Sequence, residues 1–168
     1  AVIAGDGIGK EVIPAAINVI NLAAAQGGFP CEFTELPWGC DYYLQTGRMM
    51  DADGVQQLLR YDAVYLGAIG DPRVADHVSA RELILPLRQR LGQYVNLRPM
   101  RLLPGIVSPL ANRGAADIDM ICVRENSEGE YCGMGGRLHV GTPNELAAQT
   151  GIFTRHAIER IVRYAFRL

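Results

Sequence analysis

Three arginines and one tyrosine are the residues of this sequence whose types and spacing could do chemistry. Arg98 and Arg124 each adjoin an apolar stretch typical of a strand, and Arg88 lies in a helical pattern. A guanidinium forms two parallel hydrogen bonds with a carboxylate, so converging arginines suit a small dianion such as a dicarboxylate. Tyr131, seven residues after Arg124, could donate a proton in catalysis. Taken singly, each arginine better fits a surface or ion-pair role, and Tyr131 fits a packing role.

A glycine-rich turn near the start, Gly5-Asp6-Gly7-Ile8-Gly9, is a candidate ligand loop. The dinucleotide-binding pattern G-x-G-x-x-G would need glycine at Lys10 and an acidic residue near Ala25 and Gln26. The Rossmann fingerprint therefore fails. The segment is interpreted as a tight strand-to-helix turn or as a backbone that approaches a ligand. The sequence also has no Walker A, H-E-x-x-H or G-x-S-x-G pattern, which leaves the corresponding hydrolase classes without support.

Composition narrows the possible partners and mechanisms. The chain has 168 residues, 49% of them hydrophobic and 20% charged, as expected of a globular protein. A net charge of -2 argues against nucleic acid as a partner. No apolar run reaches the roughly 18 residues of a membrane span, so we expect no membrane partner and a cytoplasmic location. Lys10 is the only lysine, the histidines are dispersed, and the four cysteines lack metal or redox spacing and are predicted to be buried free thiols.

Strand and helix patterns alternate over the first hundred residues. The spacing predicts a strand at the start and a helix from Lys10 to about Gln26. Further along it predicts a strand over 32–38, helices over 40–45 and 51–60, a buried strand over 63–67 and a helix over 79–91. Asp51 is predicted to cap the helix over 51–60. This order predicts an α/β fold with a mostly parallel sheet covered by helices. Ligands would then lie at the loops beyond the carboxyl ends of the strands.

The pattern changes near residue 100, which is the candidate domain boundary. The second part contains an extended stretch over 95–103, a strand over 119–123, and two β-leaning stretches around Gly141-Thr142-Pro143. We interpret the latter as a hairpin-like arm at about 132–150. Thr154 is predicted to cap a final helix that has an apolar face.

Three motifs together resemble the isocitrate/isopropylmalate dehydrogenase family. They are Gly5-Asp6-Gly7-Ile8-Gly9, Asn96-Leu97-Arg98-Pro99, and Val123-Arg124-Glu125-Asn126-Ser127-Glu128-Gly129-Glu130-Tyr131. The stretches 38–43, 67–72, 94–99 and 163–166 look most like the branch that acts on tartrate or D-malate. The resemblance covers essentially the whole chain. It implies an isopropylmalate-dehydrogenase-like, non-Rossmann fold, with 1–100 in a cofactor-side α/β domain and 101–168 in a dimerisation domain that carries the arm.

The resemblance also implies a reaction, the NAD-dependent oxidative decarboxylation of a small D-2-hydroxy dicarboxylate, tartrate or D-malate first. Family members hold the substrate with arginines and a tyrosine, roles that would fall here on Arg88, Arg98, Arg124 and Tyr131. Tyr131 would assist protonation after CO2 leaves. The segment Ala68-Ile69-Gly70 would contact NAD.

The same resemblance implies that this chain is the N-terminal half of an enzyme about twice as long. The Mg²⁺ or Mn²⁺ ligands and the catalytic lysine are expected in the other half, and Lys10 does not match that lysine. The arm is expected to clasp a second subunit in a homodimer.

The exact substrate stays open at this point. Isocitrate enzymes have a serine and an asparagine six and four positions before the arginine that matches Arg88, where this chain has Glu82 and Ile84. An apolar Ile84 keeps 3-isopropylmalate as an alternative substrate, while Arg81 and Glu82 depart from the usual tartrate-type sequence. Two readings from other classes also remain, an anion-binding fragment without turnover and an assembly module built around the arm.

Overall fold

Strand β1 (Val2–Gly5) runs into the glycine turn, and helix α1 (Gly9–Gly27) follows it directly, as the sequence predicts. The computed structural model describes residues 1–168 as two units, Ala1–Leu91 and Gly92–Leu168. Helix α1 ends where Gly28 adopts a left-handed conformation and its N–H bonds the carbonyl of Ala24. Glycine is the residue that adopts this conformation without strain.

The other elements of the first unit are mostly short helices. They are α2 (Cys40–Thr46), α3 (Gly54–Leu58), strand β2 (Tyr65–Ala68), α4 (Asp76–Ser79), a π-turn (Ala80–Ile84) and α5 (Leu85–Arg90). Strands β1 and β2 pair in parallel, with Val2 opposite Tyr65. The loops after both strands therefore meet at one edge of this sheet.

The core of the first unit lies beneath these helices. Trp38, Ile3, Met49 and Leu83 are almost completely buried in one apolar cluster. Leu83 and Leu87, one helical turn apart, both point into it, because positions i and i+4 share a helix face. The same packing sets the orientation of α5, which carries Arg88.

Three expectations for the first unit are wrong in detail. The strand expected to be buried over 63–67 is Tyr65–Ala68, and none of its residues is fully buried. The segment 32–38 is not a strand: it makes one parallel bridge, Val2 with Glu35, and Trp38 is buried in the core. The helix expected over 51–60 covers only Gly54–Leu58. Asp51 does not cap it, because its carboxylate accepts hydrogen bonds from the Tyr42 hydroxyl and the Gln57 amide.

The second unit is built from antiparallel strands and one long helix. Strands β3 (Val95–Arg101) and β4 (Asp119–Glu125) pair with each other, and β5 (Gly135–Leu138) pairs with β6 (Leu146–Gln149). The short 3-10 helix Glu130–Cys132 precedes β5, and α6 (Arg155–Arg167) packs against β4. A mostly parallel sheet was expected, but only β1 and β2 pair in parallel, and the other two strand pairs are antiparallel.

The predicted hairpin and helix cap are both confirmed. All residues of β5 and β6 are exposed, and the Thr154 hydroxyl accepts a hydrogen bond from the Ala157 N–H at 3.1 Å. The division into units falls between Leu91 and Gly92, before β3. The cofactor and dimerisation roles of the two parts stay predictions.

Candidate functional site

The register of β3 and β4 places two of the predicted arginines on one face. Asn96 lies opposite Arg124, and Arg98 lies opposite Cys122. Directly opposed residues and residues two apart in a strand share a face. Arg98 and Arg124 are therefore diagonal neighbours on the same side, at about 7–8 Å, a spacing that long side chains can bridge.

Tyr131 lies against one of these arginines. The guanidinium carbon of Arg124 is 5.0 Å from the centroid of the Tyr131 ring, within cation–π range. Arg124 is half-buried, whereas Arg98 and Tyr131 are exposed. The second unit thus brings together two cations and a phenol on an accessible surface, a set that can bind a carboxylate and donate a proton.

Asn96 and Asn126 are functional candidates that the sequence analysis quoted only as parts of motifs. The Asn96 Oδ1 accepts a hydrogen bond from Arg98 Nε at 3.4 Å, and Asn96 Nδ2 donates to Asn126 Oδ1 at 3.4 Å. Asn126 is 5% exposed, and its side chain also donates to the Gln93 carbonyl at 3.0 Å. The sequence signal that could have found Asn96 is its position two residues before Arg98, which places both side chains on the same face of a strand.

The segment between Arg124 and Tyr131 is fixed at several points. The Glu125 carboxylate accepts hydrogen bonds from the N–H groups of Ser127 and Glu128. The Glu128 carboxylate accepts from the N–H and the hydroxyl of Thr154, at 2.7 and 2.8 Å. Burial would raise the pKa of Glu125, but hydrogen bonds from Ser127 and Glu128 outweigh it and lower that pKa below its usual value. Glu125 is therefore ionised at neutral pH.

Arg88 belongs to the other unit, near the end of α5. It is half-buried, one turn after the half-buried Ile84 on the same helix face. Arg88 is thus positioned by the buried Leu83 and Leu87 and is not among the residues that β3 and β4 bring together.

The predicted cofactor segment, Ala68-Ile69-Gly70, begins at the last residue of β2, at the sheet edge where the glycine turn also lies. Asp6, 2% exposed, joins the two loops and α2. Its two carboxylate oxygens accept hydrogen bonds from the N–H groups of Cys40 and Gly70, at 2.8 and 2.9 Å. Burial, followed by the contact with Asp6, raises the pKa of the Cys40 thiol to about 12. Cys40 is thus a buried, unreactive thiol, whereas Cys31 and Cys122 are exposed, contrary to the sequence expectation.

The glycines of the turn are required by close backbone packing. A Cβ on Gly5 would lie 2.1 Å from the Ala68 carbonyl oxygen, and one on Gly9 would lie 2.1 Å from that of Ala4. A Cβ on Gly70, by contrast, would meet nothing within 4 Å. The close packing at Gly5 and Gly9 therefore explains the turn structurally.

Lys10 is held in an exposed ion-pair network. Its Nζ lies 2.5 Å from an Asp41 oxygen, and Arg73 bridges Asp41 and Asp71. The hydrogen bond to Asp41 raises the pKa of Lys10, so it stays protonated at neutral pH and is unsuited to act as a base. Lys10 and Asp41 both line a cleft of about 560 Å³ between α1 and α2.

No three His, Cys, Asp or Glu side chains of the chain are grouped so that they could hold a metal ion. The resemblance places the Mg²⁺ or Mn²⁺ ligands in the half of the enzyme that this chain does not span. None of the helices has the length and apolar character needed to cross a membrane.

Comparison with known proteins decides the family. The sequence matches the isocitrate/isopropylmalate dehydrogenase family over residues 1–168. The chain belongs to this family. It is 49% identical to D-malate dehydrogenase [decarboxylating] of Escherichia coli (strain K12) and to tartrate dehydrogenase/decarboxylase of Pseudomonas putida. Each match covers 100% of this chain and 47% of the relative.

Solved structures agree with this assignment. Isocitrate dehydrogenase from Methylococcus capsulatus superposes with a TM-score of 0.81 at 27% identity, over 99% of this chain and 45% of that one. The isocitrate/isopropylmalate dehydrogenase fold expected from the motifs is therefore confirmed. The chain spans about half the length of the curated relatives it matches.

Replacing Asp6 tests whether it holds the two loops together. Asp6→Ala leaves two backbone N–H groups without their acceptor, so we expect the free energy of unfolding to fall by about 3 kcal/mol. Urea denaturation of the protein measures this, with the exposed Asp62→Ala as the matched control, for which we expect a change below about 0.5 kcal/mol. Equal stabilities of the two variants would contradict the role given to Asp6.

Proposed function

We propose that this chain supplies the substrate-binding residues of an NAD-dependent dehydrogenase that oxidatively decarboxylates a small D-2-hydroxy dicarboxylate, tartrate or D-malate first. The observation that carries the proposal is the shared face of Arg98 and Arg124, with the Tyr131 ring against Arg124. The 49% identity to enzymes named for D-malate and tartrate supports the choice of substrate.

In this proposal the arginines bind carboxylates and the tyrosine moves a proton. Arg98 and Arg124 hold the substrate through charge-assisted hydrogen bonds, and Arg88 supplies a further guanidinium from α5. When bound, NAD would accept the hydride that leaves the substrate as its 2-hydroxyl group is oxidised. Ala68, Ile69 and Gly70 would contact the nicotinamide ring. Loss of CO2 from the resulting β-keto acid leaves an enolate, and the Tyr131 hydroxyl donates a proton to its carbon.

The remaining parts of the site are proposed to come from a C-terminal half. Its support is the coverage, since the chain matches 47% of the curated relatives. The family resemblance places the metal ligands and a base there, and Lys10 of this chain is held in an ion pair with Asp41.

Alanine at either strand arginine tests the proposal. In the full-length enzyme, Arg98→Ala and Arg124→Ala should each lower kcat/KM for D-malate roughly a hundredfold, because each loses a charge-assisted bond to a carboxylate, worth about 3 kcal/mol. NADH formation measures the effect. The exposed Arg60→Ala serves as the control and should change kcat/KM less than about threefold. If all three variants behave alike, the carboxylate-binding role is wrong.

Tyr131→Phe separates proton donation from packing. Phenylalanine keeps the ring beside Arg124 but lacks the hydroxyl, so we expect oxaloacetate decarboxylation to slow by on the order of a hundredfold while substrate binding changes little. The decarboxylation is followed without NAD. An unchanged rate would place Tyr131 among the packing residues.

A homodimer is the proposed assembly, with 132–150 as the intersubunit arm. The apolar side chains Leu138 and Leu146 on the arm are exposed, as are Ile158, Val162 and Phe166 on α6. Unpaired strand edges and apolar groups of this kind favour burial against a second copy.

Deleting residues 135–145 from the full-length enzyme tests the arm. We expect light scattering to show a monomer and NADH formation to be largely lost, because the exposed β-edge that should pair with the second subunit is gone. Thr142→Ala, which alters the turn without removing either strand, is the control and should leave a dimer. A stable, fully active monomer of the intact enzyme would contradict this role.

A further inference from the structure

Glu125 lies on the face of β4 opposite to Arg124, because neighbouring residues of a strand point to opposite sides. On that side Arg160 of α6 reaches the turn that follows β4. Its Nη2 donates to the Ser127 hydroxyl at 2.6 Å and lies 3.5 Å from a Glu125 oxygen. The Ser127 hydroxyl in turn donates to Glu125 at 2.5 Å. One guanidinium thus ties α6 to the first residues after Arg124.

The Arg160 guanidinium is confined from a second direction. Its carbon lies 4.6 Å from the centroid of the Tyr94 ring, and Tyr94 packs edge-on against Tyr164 with ring centroids 6.4 Å apart. The Arg160 side chain is 30% exposed, and its Nε is buried without a hydrogen-bond partner. A buried N–H without a partner costs free energy. Arg160 is therefore held in a fixed orientation, although this leaves its Nε without a hydrogen bond.

The turn that Arg160 holds connects the two residues proposed to contact substrate. Arg124 is the penultimate residue of strand β4, and the chain from Ser127 leads to Tyr131, whose ring lies against Arg124. A shift of the turn would move the Arg124 backbone and the Tyr131 ring together. Misplacement of a binding group by about 1 Å can reduce catalysis on the order of a hundredfold.

We propose that Arg160 is a positioning residue, which acts through Glu125 and Ser127 to hold Arg124 and Tyr131 in the geometry that binds the substrate carboxylate. This inference rests on the proposed function. It adds a residue of α6 that touches neither substrate nor cofactor, and it predicts an effect on dicarboxylate binding that differs from a general loss of stability.

The test compares Arg160→Gln with Arg163→Gln in the full-length enzyme. Both remove one charge from α6, and Arg163 is exposed. For Arg160→Gln we expect KM for D-malate to rise about tenfold or more, with KM for NAD within about twofold of the parent and a preserved thermal transition. Arg160→Lys should recover part of the affinity for D-malate, because lysine keeps the positive charge but lacks the planar guanidinium group. Arg163→Gln should match the parent in both constants.

Ser127→Ala keeps the inference testable if Arg160→Gln does not fold. It removes the hydroxyl that joins Arg160 to the turn, so we expect KM for D-malate to rise about threefold or more, again without a change for NAD. Unchanged KM for D-malate in the folded variants, or equal increases for D-malate and NAD, would overturn the positioning role. A parent enzyme that turns over neither D-malate, tartrate nor 3-isopropylmalate would instead refute the proposed function.

Discussion

The antiparallel register that pairs Asn96 with Arg124 decides which residues the second unit presents to a ligand. Because side chains alternate along a strand, this register puts Arg98 beside Arg124 and sends Glu125 to the face that α6 covers. A slip of one residue would exchange the two faces, hiding the cation and exposing the carboxylate. The antiparallel pairing therefore underlies both the proposed carboxylate site and the contact with Arg160.

The two units use buried polar groups in similar ways. Asp6 accepts hydrogen bonds from the first residue of α2 and from the loop after β2, and Asn126 joins the turn after β4 to the chain before β3. In each case a short polar side chain satisfies backbone groups that a loop would otherwise leave unpaired. These contacts hold the candidate ligand loops in place, whereas the apolar core of the first unit sets the position of α5.

Local patterns in the sequence predict the regular elements well where one signal dominates. The three- and four-residue spacing over α1 and the Thr154 cap of α6 are both confirmed. The segment 32–38 was predicted as a strand from its β-leaning residues, but it makes a single bridge at Glu35, and Trp38 is buried in the core. Asp51 was predicted to cap a helix, yet its carboxylate accepts hydrogen bonds from the side chains of Tyr42 and Gln57.

The candidate site was predictable by residue type but not by arrangement. Arg98 and Arg124 stand out beside apolar strands, whereas their shared face depends on pairing across the long connection 102–118, which no local pattern encodes. Arg160 had no signal, since it is one of several arginines on an amphipathic helix. Its contacts with Tyr94 and Ser127 exist only once α6 packs against β4.

The most direct test of this account is a crystal structure of the full-length enzyme with D-malate bound. The account predicts carboxylate oxygens of the substrate within about 3 Å of guanidinium nitrogens of both Arg98 and Arg124, with the Tyr131 hydroxyl facing the carbon that is protonated after decarboxylation. A substrate bound with neither strand arginine in contact with its carboxylates would contradict it.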